Sequence, residues 1–246
     1  MGTLKSNIIE PATGTTLTLG ASGDSVTVSS DSIKANTFKD AGGNTLFTSN
    51  GTGTLSSINS AFVGDGPVLL STSAGTGVTE IAITSNIDTT YDEYMFVVTN
   101  FNPATDDYHL FFQCSTNGGS SYGVTLTSTM FLVSHRLDDG GDGFGYNTGG
   151  DLAQSTDYQY LMYGIANGAS DNSSGILNLF GLGGTAYVKN WYARFGGAKM
   201  TASGSAEFVE RHSSGYFNTT SAINAISFKS YSGSAFDATV QMYGIK

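Results

Sequence analysis

The sequence predicts an all-β chain, with an extended, β-rich N-terminal arm over residues 1–62 and a jelly-roll-like antiparallel β-sandwich over 63–246. Three observations predict it. Gly, Ser and Thr number 33, 31 and 30 and together make up about 38 % of the 246 residues. Gly loses the most backbone entropy in a helix, and Ser and Thr compete with helical hydrogen bonds. Apolar residues then recur in short alternating bursts that end on Gly, Ser, Asn or Asp, the grammar of strands and tight turns. Finally, charged residues are only 12 % while hydrophobic residues reach 39 % and aromatics 12 %, which excludes a charge-rich disordered chain and a coiled coil.

The arm is lean. Phe38 and Phe47 are its only aromatics before Phe62. Its apolar residues fall in pairs such as Leu17 with Leu19 and Val26 with Val28, followed by Ile33. The segment 40–44 (Asp-Ala-Gly-Gly-Asn) is a strong turn signal between the two phenylalanines, and 50–53 is a second. Residues 56–66 have linker composition. Strands with one thin apolar face cannot build a core alone. Copies of the same chain are the simplest partners, because cyclic symmetry sets identical strands around one axis. Leu17, Leu19, Val26, Val28, Ile33, Phe38 and Phe47 are therefore the candidate association residues of the arm.

From Pro67 onward the chain gains aromatic residues. Strands are expected over 68–71, 78–84, 94–101, 108–115, 123–133, 158–165, 175–182, 186–195, 206–212, 222–231 and 238–245, separated by turn signals such as Asn117-Gly118-Gly119 and Ser232-Gly233. Many short strands at near-regular spacing read as a two-sheet sandwich. Met162-Tyr163-Gly164-Ile165 recurs as Met242-Tyr243-Gly244-Ile245, an echo too short to establish a duplication. Trp191 lies in an alternating strand as a core or interface residue, and Tyr158, Tyr160, Phe180, Phe195 and Phe228 are expected in the core. Arg194 has the opposite facing to Trp191 and is expected to look to solvent or a neighbouring acid.

The net charge of −10, from 10 Lys and Arg against 20 Asp and Glu, disfavours nucleic acid as a partner. No apolar stretch approaches the ~20 residues that span a bilayer, so membrane insertion is not expected. The N-terminus lacks the features of a signal peptide. Cys114 sits in an apolar run, where a buried inert thiol is expected. The three histidines lack metal-ligand spacing, and no nucleophile elbow or phosphate-cradling loop stands before a helix. Carboxylate pairs fall mostly in turns, and Glu207 and Glu210 face opposite sides of one strand, so a glycosidase pair is not expected.

Residues 137–151 form the richest local anomaly. Asp138, Asp139 and Asp142 among glycines suit a hard cation such as Ca²⁺, although the spacing is not that of an EF-hand, and a long flexible loop accounts for the composition equally well. Phe144 and Tyr146 in this segment, with Tyr216, are candidates for stacking on a glycan or packing on a partner.

Several segments resemble a known family. Leu4-Lys5-Ser6-Asn7-Ile8-Ile9-Glu10-Pro11, Asp31-Ser32-Ile33-Lys34, Phe38-Lys39-Asp40-Ala41-Gly42-Gly43-Asn44, Ile87-Asp88-Thr89-Thr90-Tyr91 and the closing Met242-Tyr243-Gly244-Ile245-Lys246 resemble tail-fibre-like virion proteins of marine bacteriophages. The resemblance covers about the first 110 residues and the last strand. It implies a virion location, homotrimeric assembly and contacts with other capsid or tail proteins, and it carries over no active-site residue. The expectation is a non-enzymatic structural protein, a short fibre or surface decoration anchored by its arm. The alternatives are a carbohydrate-binding module that reads host surface glycans, a capsid cement protein, and a depolymerase.

Overall fold

The computed structural model describes residues 35–40, 42–49, 51–52, 55–56, 58, 66–200 and 206–246. The chain divides into two compact units, Met1–Gly64 and Asp65–Lys246. In the first, β1 (Thr37–Lys39), β2 (Thr45–Ser49) and β3 (Leu55–Ser56) form an antiparallel sheet in that order. The 40–44 turn joins β1 to β2. Asp40 fixes it by accepting the backbone N–H of Asn44 on Oδ1 (2.8 Å) and its side-chain amide on Oδ2 (3.0 Å). Gly43 supplies the positive φ of 84° that the turn requires. Phe38 sits opposite Phe47, and their rings stack with centroids 4.6 Å apart, so within one chain these two association candidates pack on each other. Leu17, Leu19, Val26, Val28 and Ile33 lie outside the described residues.

The second unit is built from twelve strands: β4 (Val68–Val78), β5 (Glu80–Ile83), β6 (Glu93–Pro103), β7 (Tyr108–Ser115), β8 (Leu126–Arg136), β9 (Asp142–Tyr146), β10 (Gln159–Ile165), β11 (Ser173–Phe180), β12 (Lys189–Met200), β13 (Ala206–Phe217), β14 (Ala225–Ser230) and β15 (Phe236–Ile245). Among the described residues there is no α-helix, only a 3-10 turn at Tyr231–Gly233. All pairings are antiparallel. One sheet has eight strands in the order β4-β15-β6-β11-β12-β13-β8-β9, and the other four in the order β10-β7-β14-β5. Four pairings nest, β4 with β15, β5 with β14, β6 with β11 and β7 with β10, while β8 with β13 crosses the last two.

The sandwich core is the alternate residues of both sheets. Phe96, Val98, Leu177, Leu179, Phe195 and Val240 of the large sheet face Leu110, Phe112, Cys114, Ile226 and Phe228 of the small one, all buried. Phe112 meets Trp191 edge-on at 5.1 Å and Phe217 at 6.0 Å. A polar tie crosses the layers. The buried Gln159 on β10 accepts the Ser128 hydroxyl of β8 (2.5 Å) and donates to the Gly150 carbonyl (2.7 Å), so its amide is satisfied away from water.

Three expectations are corrected. The stretch 137–151 is not one long loop, because β9 runs through it as an edge strand on β8. β4 extends to Val78 although its second half is Ser-, Thr- and Gly-rich, since it pairs with β15 over most of its length. Tyr158, Tyr160 and Phe180 are half-buried rather than core. Tyr160 stands opposite Phe111 on the outward side of the small sheet, and Phe180 has the outward parity of β11.

Candidate functional site

The outward face of the large sheet follows from register. On β8 the outward residues are Thr127, Thr129, Phe131, Val133 and His135, and they lie opposite Tyr216, Ser214, His212, Glu210 and Phe208 of β13. On the other side of β8, β9 brings Tyr146 opposite Phe131 and Phe144 opposite Val133. On the other side of β13, β12 places Arg194 opposite His212 and Tyr192 opposite Ser214, and β11 places Ile176 opposite Arg194. Five strands thus contribute to one aromatic surface.

Its packing is specific. The His212 imidazole stacks on Phe131 with centroids 4.8 Å apart and planes within 4°, and Phe144 leans on Phe131 at 5.8 Å. Phe180 packs against Tyr192 at 5.8 Å. Phe208 lies over Gly196, where an added Cβ would come within 2.8 Å of its ring. The charges on this face are paired within the chain: Arg194 binds Glu210, and His212 Nε2 lies 2.8 Å from the same carboxylate. The Arg194 bond, ahead of the neighbouring His212, holds the Glu210 carboxyl below its ordinary range. Arg194 forms a ridge between two shallow grooves. One, of about 290 Å³, is lined by Ile176, Gly196 and Phe208, and the other, of about 280 Å³, by Phe131, Tyr192 and His212.

All three sequence-predicted contact residues have outward positions on this sheet, with Phe144 and Tyr146 beside Phe131 and Val133; the Tyr146 hydroxyl donates to Asp151 (2.5 Å). Tyr216 lies farther along β13, where its hydroxyl accepts from Gln154 (3.1 Å). Two of the three cation candidates have protein partners. Arg136 holds Asp138 through Nε (2.9 Å) and Nη2 (2.6 Å), which keeps that carboxyl well below the usual range, and Asp138 also accepts the Gly140 N–H. Asp139 lies 3.3 Å from His135, and Asp142 points outward at the start of β9. Among the described residues no three His, Cys, Asp or Glu side chains gather as a metal site. Sequence reasoning missed Phe131, Tyr192, Phe208 and His212, whose membership of one face is set by pairing between distant strands.

A separate, larger concavity of about 550 Å³ opens where three connections meet at one end of the sandwich. It is bounded by the β7–β8 connection, by Thr156 before β10, and by Asn218 and Thr219 after β13. No protein-family model, curated protein or solved structure matches the chain.

Proposed function

We propose that this chain is a non-enzymatic bacteriophage virion structural protein, a short fibre or surface decoration whose arm anchors it and whose sandwich projects outward, assembled as a homotrimer. The observation that carries the reading is the outward face of the large sheet. Ile176, Tyr192, Phe208, Phe131, Val133, Phe144 and Tyr146 are each 38–77 % exposed, and at ~150–250 Å² per large side chain they leave on the order of 700 Å² of apolar surface open. Monomers commonly leave ~300–600 Å² in their largest patch, whereas a standard interface covers ~800 Å² per partner. Because the charges on the face are already paired within the chain, burying it strands no ion. A second copy is the occupant that fits. The nested strand pairing supports a jelly-roll-like reading of the sandwich, and the resemblance to phage fibre proteins supports the virion setting.

Native mass spectrometry of the full chain tests the assembly, and proteomics of purified particles tests the location. A monomer at micromolar concentration overturns the trimer, and absence from purified particles overturns the virion assignment. Phe208→Asp with Phe144→Asp is expected to weaken association while each sandwich stays folded.

A second reading, a module that recognises host surface glycans, is favoured by the concavity at the end of the sandwich. Its lining is polar and uncharged, and it lies away from the apolar face.

A further inference from the structure

We infer that the cleft between the β7–β8 connection, Thr156 and Asn218 binds a neutral carbohydrate; the inference rests on the glycan-recognition reading and names its site and ligand class. The cleft's volume of about 550 Å³ falls within the roughly 300–1,000 Å³ typical of small-ligand sites. Its lining contains no Asp, Glu, Lys, Arg or His. A charged ligand would surrender hydration there without a counter-charge. A polyhydroxylated neutral one exchanges its bonds to water for bonds to hydroxyls and amides.

The partners for that exchange are in place. The Thr116, Thr125 and Thr156 hydroxyls and Asn218 Oδ1 make no hydrogen bond among the described residues, while the groups around them are committed to holding the walls. Asn218 donates its amide to Gln154 Oε1 (2.7 Å) and its backbone N–H to the Thr125 carbonyl (2.7 Å). The buried Gln113 amide donates to the carbonyls of Thr156 (3.2 Å) and Asp157 (2.9 Å). Asn117 accepts the Ser121 N–H (3.0 Å), and Gly118 donates to Asn224 Oδ1 (2.8 Å). The three walls are therefore clamped to one another and to the sheets, and the uncommitted threonine hydroxyls belong to residues that line the cleft. Rigid walls spare the ordering entropy that a loop site loses on binding. Tyr122 adds a ring to the lining, an apolar surface for the C–H face of a pyranose.

The test uses the full chain with glucose, galactose, mannose and N-acetylglucosamine as probes and glucuronate as the acidic comparator. Binding is read by saturation-transfer NMR and calorimetry at millimolar ligand. At least one neutral sugar is expected to bind more tightly than glucuronate. Thr125→Val with Thr156→Val should weaken that binding at least about tenfold, since two hydrogen bonds are lost. Thr156→Val alone, the milder change, should weaken it in the same direction. Leu69→Ala, at an exposed position on β4, should leave it unchanged. No binding by any of the four neutral sugars, or equal binding of glucuronate, overturns the inference. If a sugar binds but the threonine variants bind it as well as the wild type, the cleft assignment falls while glycan recognition stands.

Discussion

The His109 ring on β7 stacks on Tyr163 of β10 with centroids 4.1 Å apart and planes 14° apart. The opposite sheet adds two cations to the same tyrosine, with the Arg211 guanidinium 5.0 Å and the Lys199 ammonium 6.0 Å from its ring centroid. His109 Nδ1 accepts the Gly164 N–H (2.9 Å), so the neutral ring carries its proton on Nε2.

This arrangement makes stability pH-dependent. Burial pushes the His109 pKa below its ordinary 6.5, and Arg211 and Lys199 push the same way against the opposing pull of Asp107. The unfolded chain therefore takes up the proton first, so the stability present above about pH 6.5 is lost as pH falls below it. Thermal midpoints measured between pH 8 and pH 5 should drop, with a shallower drop in His109→Gln. Equal slopes for the two proteins would refute the assignment.

Arg211 is 3 % exposed, and its Nε and Nη1 have no hydrogen-bond partner. Among the described residues no carboxylate lies within ion-pair distance of it. Lys199 and Glu207 pair with each other at 3.3 Å instead. Leaving a cation desolvated costs more than its contact with a tyrosine ring returns. Arg211→Met should thus stabilise the sandwich by about 1 kcal/mol in urea titrations and raise the pKa of His109 by NMR. A loss of stability would mean that an unseen partner satisfies the guanidinium.

Phe112 is fully buried between Trp191 and Phe217 at the meeting of the two sheets. Phe112→Ala should cost about 3–5 kcal/mol, the transfer of the ring plus the cavity it leaves, measured as a shift of the denaturation midpoint at unchanged slope. A cost under ~1 kcal/mol would show that the neighbouring rings collapse into the space.

Glu210→Ala leaves Arg194 without its partner on the outward face. The pair is exposed enough that the thermal midpoint of the isolated chain should hardly move. Self-association should weaken, because an unpaired cation would then be buried at the interface. Sedimentation of the two proteins over a concentration series separates the two effects.

Where strands carry bulky alternation, the sequence is legible. The runs 94–101 and 108–115 fall within β6 and β7, because Tyr94, Phe96 and Val98, then Leu110 and Phe112, mark one face with large side chains. β9 was hidden for a physical reason. In Asp142-Gly143-Phe144-Gly145-Tyr146 the inward positions are glycines; a Cβ on Gly143 would approach the Ser134 hydroxyl to 2.9 Å, whereas one on Gly145 would meet nothing within 4 Å. A strand whose inward side is bare backbone reads as a loop by composition. The outward face was equally opaque: β8 is apolar on both sides, with Leu132 turned in and Phe131 and Val133 turned out. Only pairing with β9 and β13 shows that the outward set forms one surface. The cleft is assembled from three connections distant in sequence, a juxtaposition that no local pattern encodes.

The place of β15 governs when this sandwich can form. It lies between β4 and β6 and pairs with both, so β6 lacks this neighbour until about 130 further residues have left the ribosome, and β4 until about 160 have. Until then two long strand edges stay open, each a template for a strand from another nascent chain on the same message. Pairing across so long a separation in sequence predicts slow folding, and yield in the cell is then expected to respond to translation rate and chaperone supply.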